Sequence, residues 1–294
     1  YPTAAVDKSR GVNWRFVYTP EAPGRYLLKV RPVTEDGEPS TLVAGFAFEA
    51  LPAGGTYGDS RIRAVGGSFR DARIFRSREL ANLTGEEAAF LSGALGIATI
   101  YDLRTAAEVA AHPEPYIVGM RTVALEPSTE HRRKDSDKRL IAGVIERYGE
   151  PEERMGANYR RYVREYPLVG QALRSMAAEG RPALIHCVNG KDRTGVLCAT
   201  LLRATGADED AIMEDYLRVN ADHADLIAEE AAHLDGGMTD HERAILLSFL
   251  EARPAYLRAY FDEIDRLYGS FAAYMREGLH LTGEAVESLR ALVA

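Results

Sequence analysis

Cysteine is scarce in this sequence: Cys187 and Cys198 are the only two among 294 residues. A secreted fold stapled by disulfides needs more cysteines, at spacings that close loops, so the sequence excludes that class. We expect both thiols to stay reduced, as they do in a cytoplasm. Export stays open as an alternative, because the chain begins at Tyr1 without a methionine.

Basic residues are also in the minority, with 36 lysines and arginines against 44 acidic residues and a formal net charge of -8. Such a chain is not built to coat nucleic acid or an anionic membrane, so any anion site must be local. No apolar run approaches the ~18 residues that span a bilayer. His223, His233 and His241 lack the spacing of a metal site, and we expect neither metal nor cofactor.

Residues 12–50 alternate in the manner of β-strands, with turn pairs at Pro23-Gly24 and Asp36-Gly37. Three strands make a poor independent core. We therefore predict a small β-rich element over residues 1–55, followed by a second domain over residues 56–294. The three alternating runs are Trp14-Phe16-Tyr18, Tyr26-Leu28-Val30 and Leu42-Ala44-Phe46-Phe48.

From residue 62 onward, short apolar strands alternate with helical patterns, which predicts an α/β fold with helices around a central sheet. One strand covers Ala98–Tyr101, after a helix opened by the capping box Thr84-x-x-Glu87. A second strand, Ala183–His186, leads into Cys187. Helices are predicted at Thr194–Ala204 with a stop at Gly206, at 209–219, 224–234, 255–268 and 283–292, and after a capping box at Thr239-x-x-Glu242.

The junction between the second strand and its helix carries residues suited to phosphate chemistry. Cleavage of a phosphate monoester needs an in-line nucleophile and donors aimed at the equatorial oxygens. Cys187 provides the thiol, Arg193 can bind two phosphate oxygens, and the loop amides with the helix dipole favour a thiolate. His186 orients the loop and Thr194 offers a hydroxyl to the thiolate. The further loop residues predicted to bind phosphate are Val188, Asn189, Gly190 and Lys191.

Two other interpretations of this loop are weaker. Gly190-Lys191 also occurs in nucleotide-binding loops, but the glycine expected five residues earlier is Ile185, and Asp192 stands where Ser or Thr is needed. A chance pairing of a buried Cys187 with a surface arginine is disfavoured by the apolar strand before the loop and the helix after it. Cys198, inside that helix, is predicted to be an inert core residue.

The run His186-Cys187-x-x-Gly190-Lys191-Asp192-Arg193-Thr194-Gly195 resembles the signature of the bacterial atypical protein-tyrosine phosphatases of dual or triple specificity. The resemblance implies a phosphatase-type α/β sheet flanked by helices, a metal-independent cysteine mechanism, and a helical lid between about residues 220 and 252. Ala72-Arg73 replaces an expected Gly-Gly, and the N-terminal β element lies outside the common core. Similar landmarks over roughly residues 62–292 are Ser68–Asp71, Phe75–Ser77, Leu80–Thr84, Leu95–Arg104, Tyr268–Ser270 and Tyr274–Leu279.

The general acid that the resemblance implies is Asp192, since no Trp-Pro-Asp loop of the ordinary tyrosine phosphatases is found. Asp102, at a strand end, is a second candidate that could instead orient Arg193 or bind substrate. Arg104 beside it is a candidate phosphate ligand. Lys191 either adds positive charge at the pocket mouth, which favours polyphosphorylated substrates, or is a solvated lysine.

The sequence therefore predicts a phosphomonoesterase that forms a cysteinyl phosphate and acts on phosphotyrosine protein and/or phosphoinositides. A small phosphorylated metabolite, such as an inositol phosphate or a nucleotide-like or biosynthetic intermediate, is the alternative substrate. A phosphate-binding module of decayed activity is a different class, which the retained Cys187, Asp192 and Arg193 disfavour. The basic run from Arg132 to Arg139 either extends the preference for anions or is solvated.

Overall fold

The computed structural model describes residues 20, 23–31, 33, 36–39, 41, 44–52, 55–125, 151–165, 167–233 and 239–293. In space the chain divides into two compact units, Tyr1–Pro52 and Ala53–Ala294. The described part of the first unit has two antiparallel strands, β1 (Gly24–Val30) and β2 (Ala44–Ala50). They coincide with two predicted runs. The third run, around Trp14, and the basic run Arg132–Arg139 lie outside the described residues.

The described part of the second unit is built on a five-stranded sheet. Its strands are β3 (Arg63–Ala64), β4 (Ile74–Ser77), β5 (Thr99–Asp102), β6 (Arg121–Ala124) and β7 (Ala183–His186). The order is β3-β4-β7-β5-β6, and every neighbouring pair is parallel except β3 with β4. The strands β4, β5 and β7 are buried along their whole length, as central parallel strands must be.

The register of the sheet decides where the chemistry lies. Ser77 of β4 and Asp102 of β5 both pair with His186 of β7, so three parallel strands end at the same edge. Ligands of parallel α/β sheets bind outside the carboxyl ends of the strands. A ligand site is therefore expected at the edge where β7 ends with His186.

Helices flank this sheet, and the predicted α/β class is confirmed. In chain order they are α1 (Gly85–Ala89), α2 (Ala106–Ala111), α3 (Pro151–Glu165), α4 (Leu168–Glu179), α5 (Asp192–Thr205), α6 (Glu209–Leu217), α7 (Val219–Asp222), α8 (Ala224–His233), α9 (Asp240–Leu250), α10 (Pro254–Tyr268), α11 (Phe271–Ala273) and α12 (Gly283–Val293), with π-helical turns at Phe90–Ala94 and Tyr274–Gly278. Among the described residues, no helix has both the length and the apolar composition needed to cross a bilayer.

Helix α5 shows why the sequence folds locally as it does. It begins at Asp192, two residues before the predicted start, because the Gly195 N–H already bonds the Lys191 carbonyl. It ends at Gly206, whose φ of 100° is the left-handed conformation typical of a glycine cap. Its apolar face, including Leu197 and Leu201, is fully buried, and each such leucine contributes about 2 kcal/mol.

Cys198 lies on the buried face of α5 and is fully buried. Burial raises the pKa of its thiol to about 11, so the group stays protonated at neutral pH. A protonated, inaccessible thiol is a poor nucleophile. The prediction that Cys198 is an inert core residue agrees with this placement.

Candidate active site

The phosphate loop runs from Cys187, directly after β7, to Lys191, and α5 follows it. Neighbouring backbone holds it from outside: the Glu79 N–H donates to the Val188 carbonyl at 3.0 Å. The Arg76 guanidinium donates to the Gly190 carbonyl at 2.7 Å. Because loop carbonyls are bonded outward, their peptide N–H groups can face inward, as an anion-binding nest requires.

The guanidinium of Arg193 returns from α5 toward the same sheet edge. It donates to the Leu103 carbonyl at 2.9 Å and to both carboxylate oxygens of Glu108, at 2.6 and 2.8 Å. Burial alone would lower the pKa of Arg193, but its interactions with Cys187 and Glu108 hold the pKa above the ordinary value. Arg193 is therefore charged, held by Glu108, and in electrostatic interaction with Cys187.

Glu108 is a site residue that the sequence reasoning missed. The sequence indicates Asp102 as a group that could orient Arg193. In the structure, the carboxylate that binds Arg193 is that of Glu108, in the first turn of α2. Glu108 also closes a capping box with Thr105. The pattern Thr105-x-x-Glu108, directly after β5, was the signal that could have placed this carboxylate at the sheet edge.

Asp102 is buried in a polar cluster below the loop. Its carboxylate accepts hydrogen bonds from Arg104 at 2.9 to 3.2 Å, and its Oδ1 lies 3.9 Å from Nδ1 of His186. Burial raises the pKa of Asp102, but the Arg104 hydrogen bonds and the nearby His186 outweigh it and hold the pKa below its ordinary value. A carboxyl that stays ionised is a poor proton donor at neutral pH.

Arg104 makes all its described contacts within the same cluster. It pairs with Asp102, Glu79 and Glu114 and donates to the His112 carbonyl at 2.9 Å. The predicted phosphate ligand thus has its guanidinium bound to protein groups.

Asp102, Glu114 and His186 also offer ligand atoms within 4.8 Å of one another, so this group could hold a metal ion. Arg104 already supplies positive charge to both carboxylates.

Lys191 is buried rather than solvated, with a side chain 2% exposed. Its ammonium donates to the backbone carbonyls of Phe249 and Glu251, at the carboxyl end of α9. The same group lies 3.5 Å from Oδ1 of Asp192. The interpretation of Lys191 as a solvated lysine is therefore wrong, and its charge lies against the end of α9.

His186 and Thr194 complete the loop as buried polar side chains. Nδ1 of His186 lies 3.2 Å from the Cys187 carbonyl, and Nε2 lies 3.5 Å from Glu114. The Thr194 hydroxyl has no hydrogen-bond partner among the described residues. A buried hydroxyl without a partner costs about 1–3 kcal/mol, so Thr194 has a donor to offer to a ligand or a sulfur.

A second missed residue, Asp215 in α6, ties the loop to the sheet. Its carboxylate binds Arg63 at 2.5 Å and Arg76 at 2.8 Å, and Arg63 also reaches Asp222 at 2.8 Å. Burial raises the pKa of Asp215, but the charges of the two arginines outweigh it and lower the pKa. Nothing local in the sequence marks this one acid as the partner of two arginines that lie 152 and 139 residues away.

The model of the tyrosine phosphatase family matches residues 57–294. The chain belongs to this family. It is a cysteine-dependent phosphatase, a hydrolase of phosphate monoesters, and the resemblance drawn from the signature is confirmed. The triple specificity protein phosphatase PtpB of Mycobacterium tuberculosis is 31% identical over 261 residues, which cover 79% of this chain and 94% of that protein.

Two solved structures match this chain weakly. The Siw14 catalytic core has a TM-score of 0.35 at 18% identity and covers 65% of this phosphatase and 92% of its own chain. TpbA of P. aeruginosa has a TM-score of 0.31 at 18% identity, with coverages of 66% and 97%. With similarity this low, family membership rests on the sequence matches.

Gly190 of the phosphatase loop should not tolerate a side chain. Its φ is +61°, and a Cβ would lie 2.3 Å from the Ser77 carbonyl oxygen. Gly180 has nearly the same φ, +58°, with open space around it. We expect Gly180→Ala to lose about 1–2 kcal/mol of unfolding free energy and keep its activity. Gly190→Ala should lose more, and displacement of the loop should lower kcat/KM about 10²-fold.

Urea unfolding and phosphate release measured on both variants test this expectation. Equal stability losses with unchanged turnover in Gly190→Ala would show that the contact with Ser77 does not constrain the loop.

Glu108 should make the stability of the phosphatase depend on pH. Burial raises its pKa, but hydrogen bonds and charge from Arg193 outweigh it and hold the pKa below the ordinary 4.5. A lowered carboxyl pKa stabilises the fold above the unfolded-state value, and this contribution is lost as pH falls through the folded-state value. The wild type should therefore lose unfolding free energy below pH 4.5 as Glu108 takes up a proton, and we expect this contribution to be missing in Glu108→Gln.

The measurement is the free energy of unfolding in urea at a series of pH values from neutral into the acid range. Glu284→Gln, which changes an exposed first-turn carboxylate of α12, is the matched control and should follow the wild type. A Glu108→Gln curve parallel to the wild-type curve in acid contradicts the prediction.

Proposed function

We propose that this phosphatase hydrolyses phosphotyrosine in proteins and/or phosphoinositides, with Cys187 as nucleophile and Arg193 as phosphate ligand. One observation carries the assignment of the site. Cys187 directly follows β7, and the guanidinium of Arg193 donates a hydrogen bond to each carboxylate oxygen of Glu108. Burial lowers the pKa of Arg193, but its interaction with Cys187 raises it. A preorganised cation next to a nucleophile is what a phosphoryl-transfer site needs.

In the first step the Cys187 thiolate attacks phosphorus, and an S–P bond forms as the bond to the leaving oxygen breaks. The proton of the Asp192 carboxylic acid passes to that oxygen, which leaves as a neutral hydroxyl. Arg193 and the loop N–H groups bind the three equatorial oxygens throughout. The products of this step are the alcohol or phenol, a cysteinyl phosphate and an Asp192 carboxylate.

In the second step a water molecule attacks the phosphorus of the cysteinyl phosphate. The Asp192 carboxylate takes a proton from that water, the S–P bond breaks, and inorganic phosphate leaves. Cys187 is released as a thiolate, and the Thr194 hydroxyl, which has no partner in the described part of the chain, can donate to it. Both groups then have the protonation states with which the cycle began.

The choice of Asp192 over Asp102 follows from their surroundings. Asp102 is 4% exposed and its carboxylate is bonded to Arg104, with a pKa held low. Asp192 has a side chain 25% exposed, next to the loop. An acid must reach the leaving oxygen, and of the two aspartates only Asp192 has a partly exposed side chain.

The breadth of substrates is proposed from the relative whose name states triple specificity. The placement of Lys191 at the end of α9 removes one reason to expect polyphosphorylated substrates, because its charge already binds two carbonyls.

We also propose a separate β-rich element over residues 1–55, and action in a reducing compartment such as the cytoplasm. Both cysteines are unpaired and buried, as that compartment would allow.

Phosphate release measured in the presence of EDTA tests the proposal. The panel comprises a phosphotyrosine peptide, a phosphoserine peptide, phosphoinositides and inositol phosphates. Activity on the phosphotyrosine peptide, on the phosphoinositides, or on both supports it. Activity confined to inositol phosphates assigns a small-metabolite phosphatase instead, and activity that needs added metal contradicts the cysteine mechanism.

A further inference from the structure

Asp192 does not stand alone at the start of α5. The hydroxyl of Tyr159, from α3, lies 2.8 Å from Oδ1 of Asp192. Behind it, the hydroxyl of Tyr216 from α6 lies 2.7 Å from that of Tyr159. Three separate elements thus meet in one row of hydrogen-bonding groups that ends on the proposed acid.

The direction of the hydrogen bonds in this row can be assigned. Burial raises the pKa of Tyr159 and of Tyr216 well above the ordinary value, and the charge of Asp192 raises both further. Each hydroxyl therefore keeps its single proton at neutral pH. An Oδ1 of Asp192 that carries no proton can only accept, so Tyr159 donates to it and accepts from Tyr216.

Both tyrosines are buried and closely packed. Tyr159 is fully buried, and its ring packs against Tyr162, Tyr216 and Tyr256 with centroids 5.4 to 6.2 Å apart. The ring of Tyr216 lies against α5, where a Cβ on Gly195 would come within 3.1 Å of it. A closely packed donor restricts the carboxyl group that it binds, which is how surrounding side chains preorganise reacting groups.

We propose that Tyr159, backed by Tyr216, is a positioning residue that fixes the Asp192 carboxyl group and directs its acidic proton to Oδ2. Oδ1 already accepts the tyrosine hydrogen bond, so a proton placed there would face the Tyr159 proton. Oδ2 accepts no hydrogen bond from a described residue, and it is left to serve the leaving oxygen. The inference rests on the proposed role of Asp192 as general acid.

The test compares leaving groups, because protonation matters most when the leaving oxygen is basic. We would measure kcat/KM, which reports the steps up to the cysteinyl phosphate, on phenyl phosphate and on 4-nitrophenyl phosphate. Asp192→Asn should lose about 10²-fold or more on phenyl phosphate and much less on 4-nitrophenyl phosphate. Tyr159→Phe should show the same pattern at roughly 10-fold, a fraction of the general-acid contribution.

Tyr260→Phe is the matched control: it removes an equally buried hydroxyl, which bonds Thr200 and Tyr274 instead. It should affect both substrates alike. Should Tyr159→Phe fold poorly by thermal melting, Tyr216→Phe replaces it, with the same pattern at a smaller size. If the tyrosine variants lose equally on both substrates while Asp192→Asn shows the leaving-group pattern, the inference about Tyr159 is wrong and the assignment of Asp192 as the acid stands. If Asp192→Asn lacks the pattern, the acid assignment fails first.

Discussion

Replacing Cys187 with serine is expected to abolish phosphate release from every substrate that the wild type turns over. Both side chains fill nearly the same space, and the thiol is 3% exposed, so folding should be unchanged. A serine hydroxyl is far less acidic than a thiol, so it stays protonated at neutral pH and is a weak nucleophile here. The loop amides and Arg193 stay in place, so oxyanion binding should persist.

The measurement pairs phosphate release with tungstate or phosphate binding, by calorimetry, on the same preparations. Cys198→Ser is the matched control. It changes the other cysteine, which is buried on α5 with its pKa raised, and it should retain turnover. Turnover that survives Cys187→Ser would overturn the cysteinyl-phosphate mechanism. Activity lost in both serine variants would point to general damage to α5 and the loop.

Replacing Asp215 with alanine is expected to cost about 3–5 kcal/mol of unfolding free energy. The change leaves Arg63 and Arg76, both with side chains 2% exposed, without the carboxylate that they share. Arg76 also binds the Gly190 carbonyl at 2.7 Å, so its displacement should disturb the phosphate loop. Activity should fall together with stability.

Urea unfolding of Asp215→Ala and of Asp225→Ala separates this buried network from a surface ion pair. Asp225 binds Arg61, but its side chain is 64% exposed, and water and salt screen such pairs. We expect a large shift in the unfolding midpoint for Asp215→Ala and almost none for Asp225→Ala. Similar midpoints for the two variants would show that the buried arginines find other partners.

The sequence was most informative where the chemistry is contiguous. Strand β7 was predicted at its observed bounds, and α5 was predicted with its stop at Gly206, because an apolar run, a loop signature and a glycine cap follow one another. Strand β5 was predicted one residue too early, at Ala98, since apolarity alone does not mark where the hydrogen-bonded ladder begins.

The groups that act on the loop from a distance could not be predicted in the same way. Tyr159 lies 33 residues from Asp192 along the chain, and the carbonyl partners of Lys191 lie 58 and 60 residues from it. Asp215 acts on the loop through Arg76, which is 114 residues from Gly190. No local pattern links these groups to the loop. Glu108 is the exception, because the capping-box pattern Thr105-x-x-Glu108 can be recognised in the sequence directly after β5. Packing decides these contacts, and packing is a property of the folded chain.

The buried ammonium of Lys191 links the proposed catalytic cycle to a distant helix end. It touches Asp192 on one side and the carbonyls of Phe249 and Glu251 on the other. In each turnover Asp192 would alternate between acid and carboxylate, so the lysine would alternate between a neutral and an anionic neighbour. The hydrogen bonds from Lys191 to the last turn of α9 would then be stronger when Asp192 is neutral and weaker when it is anionic. The end of α9 would therefore be coupled to the protonation state of Asp192 in each turnover.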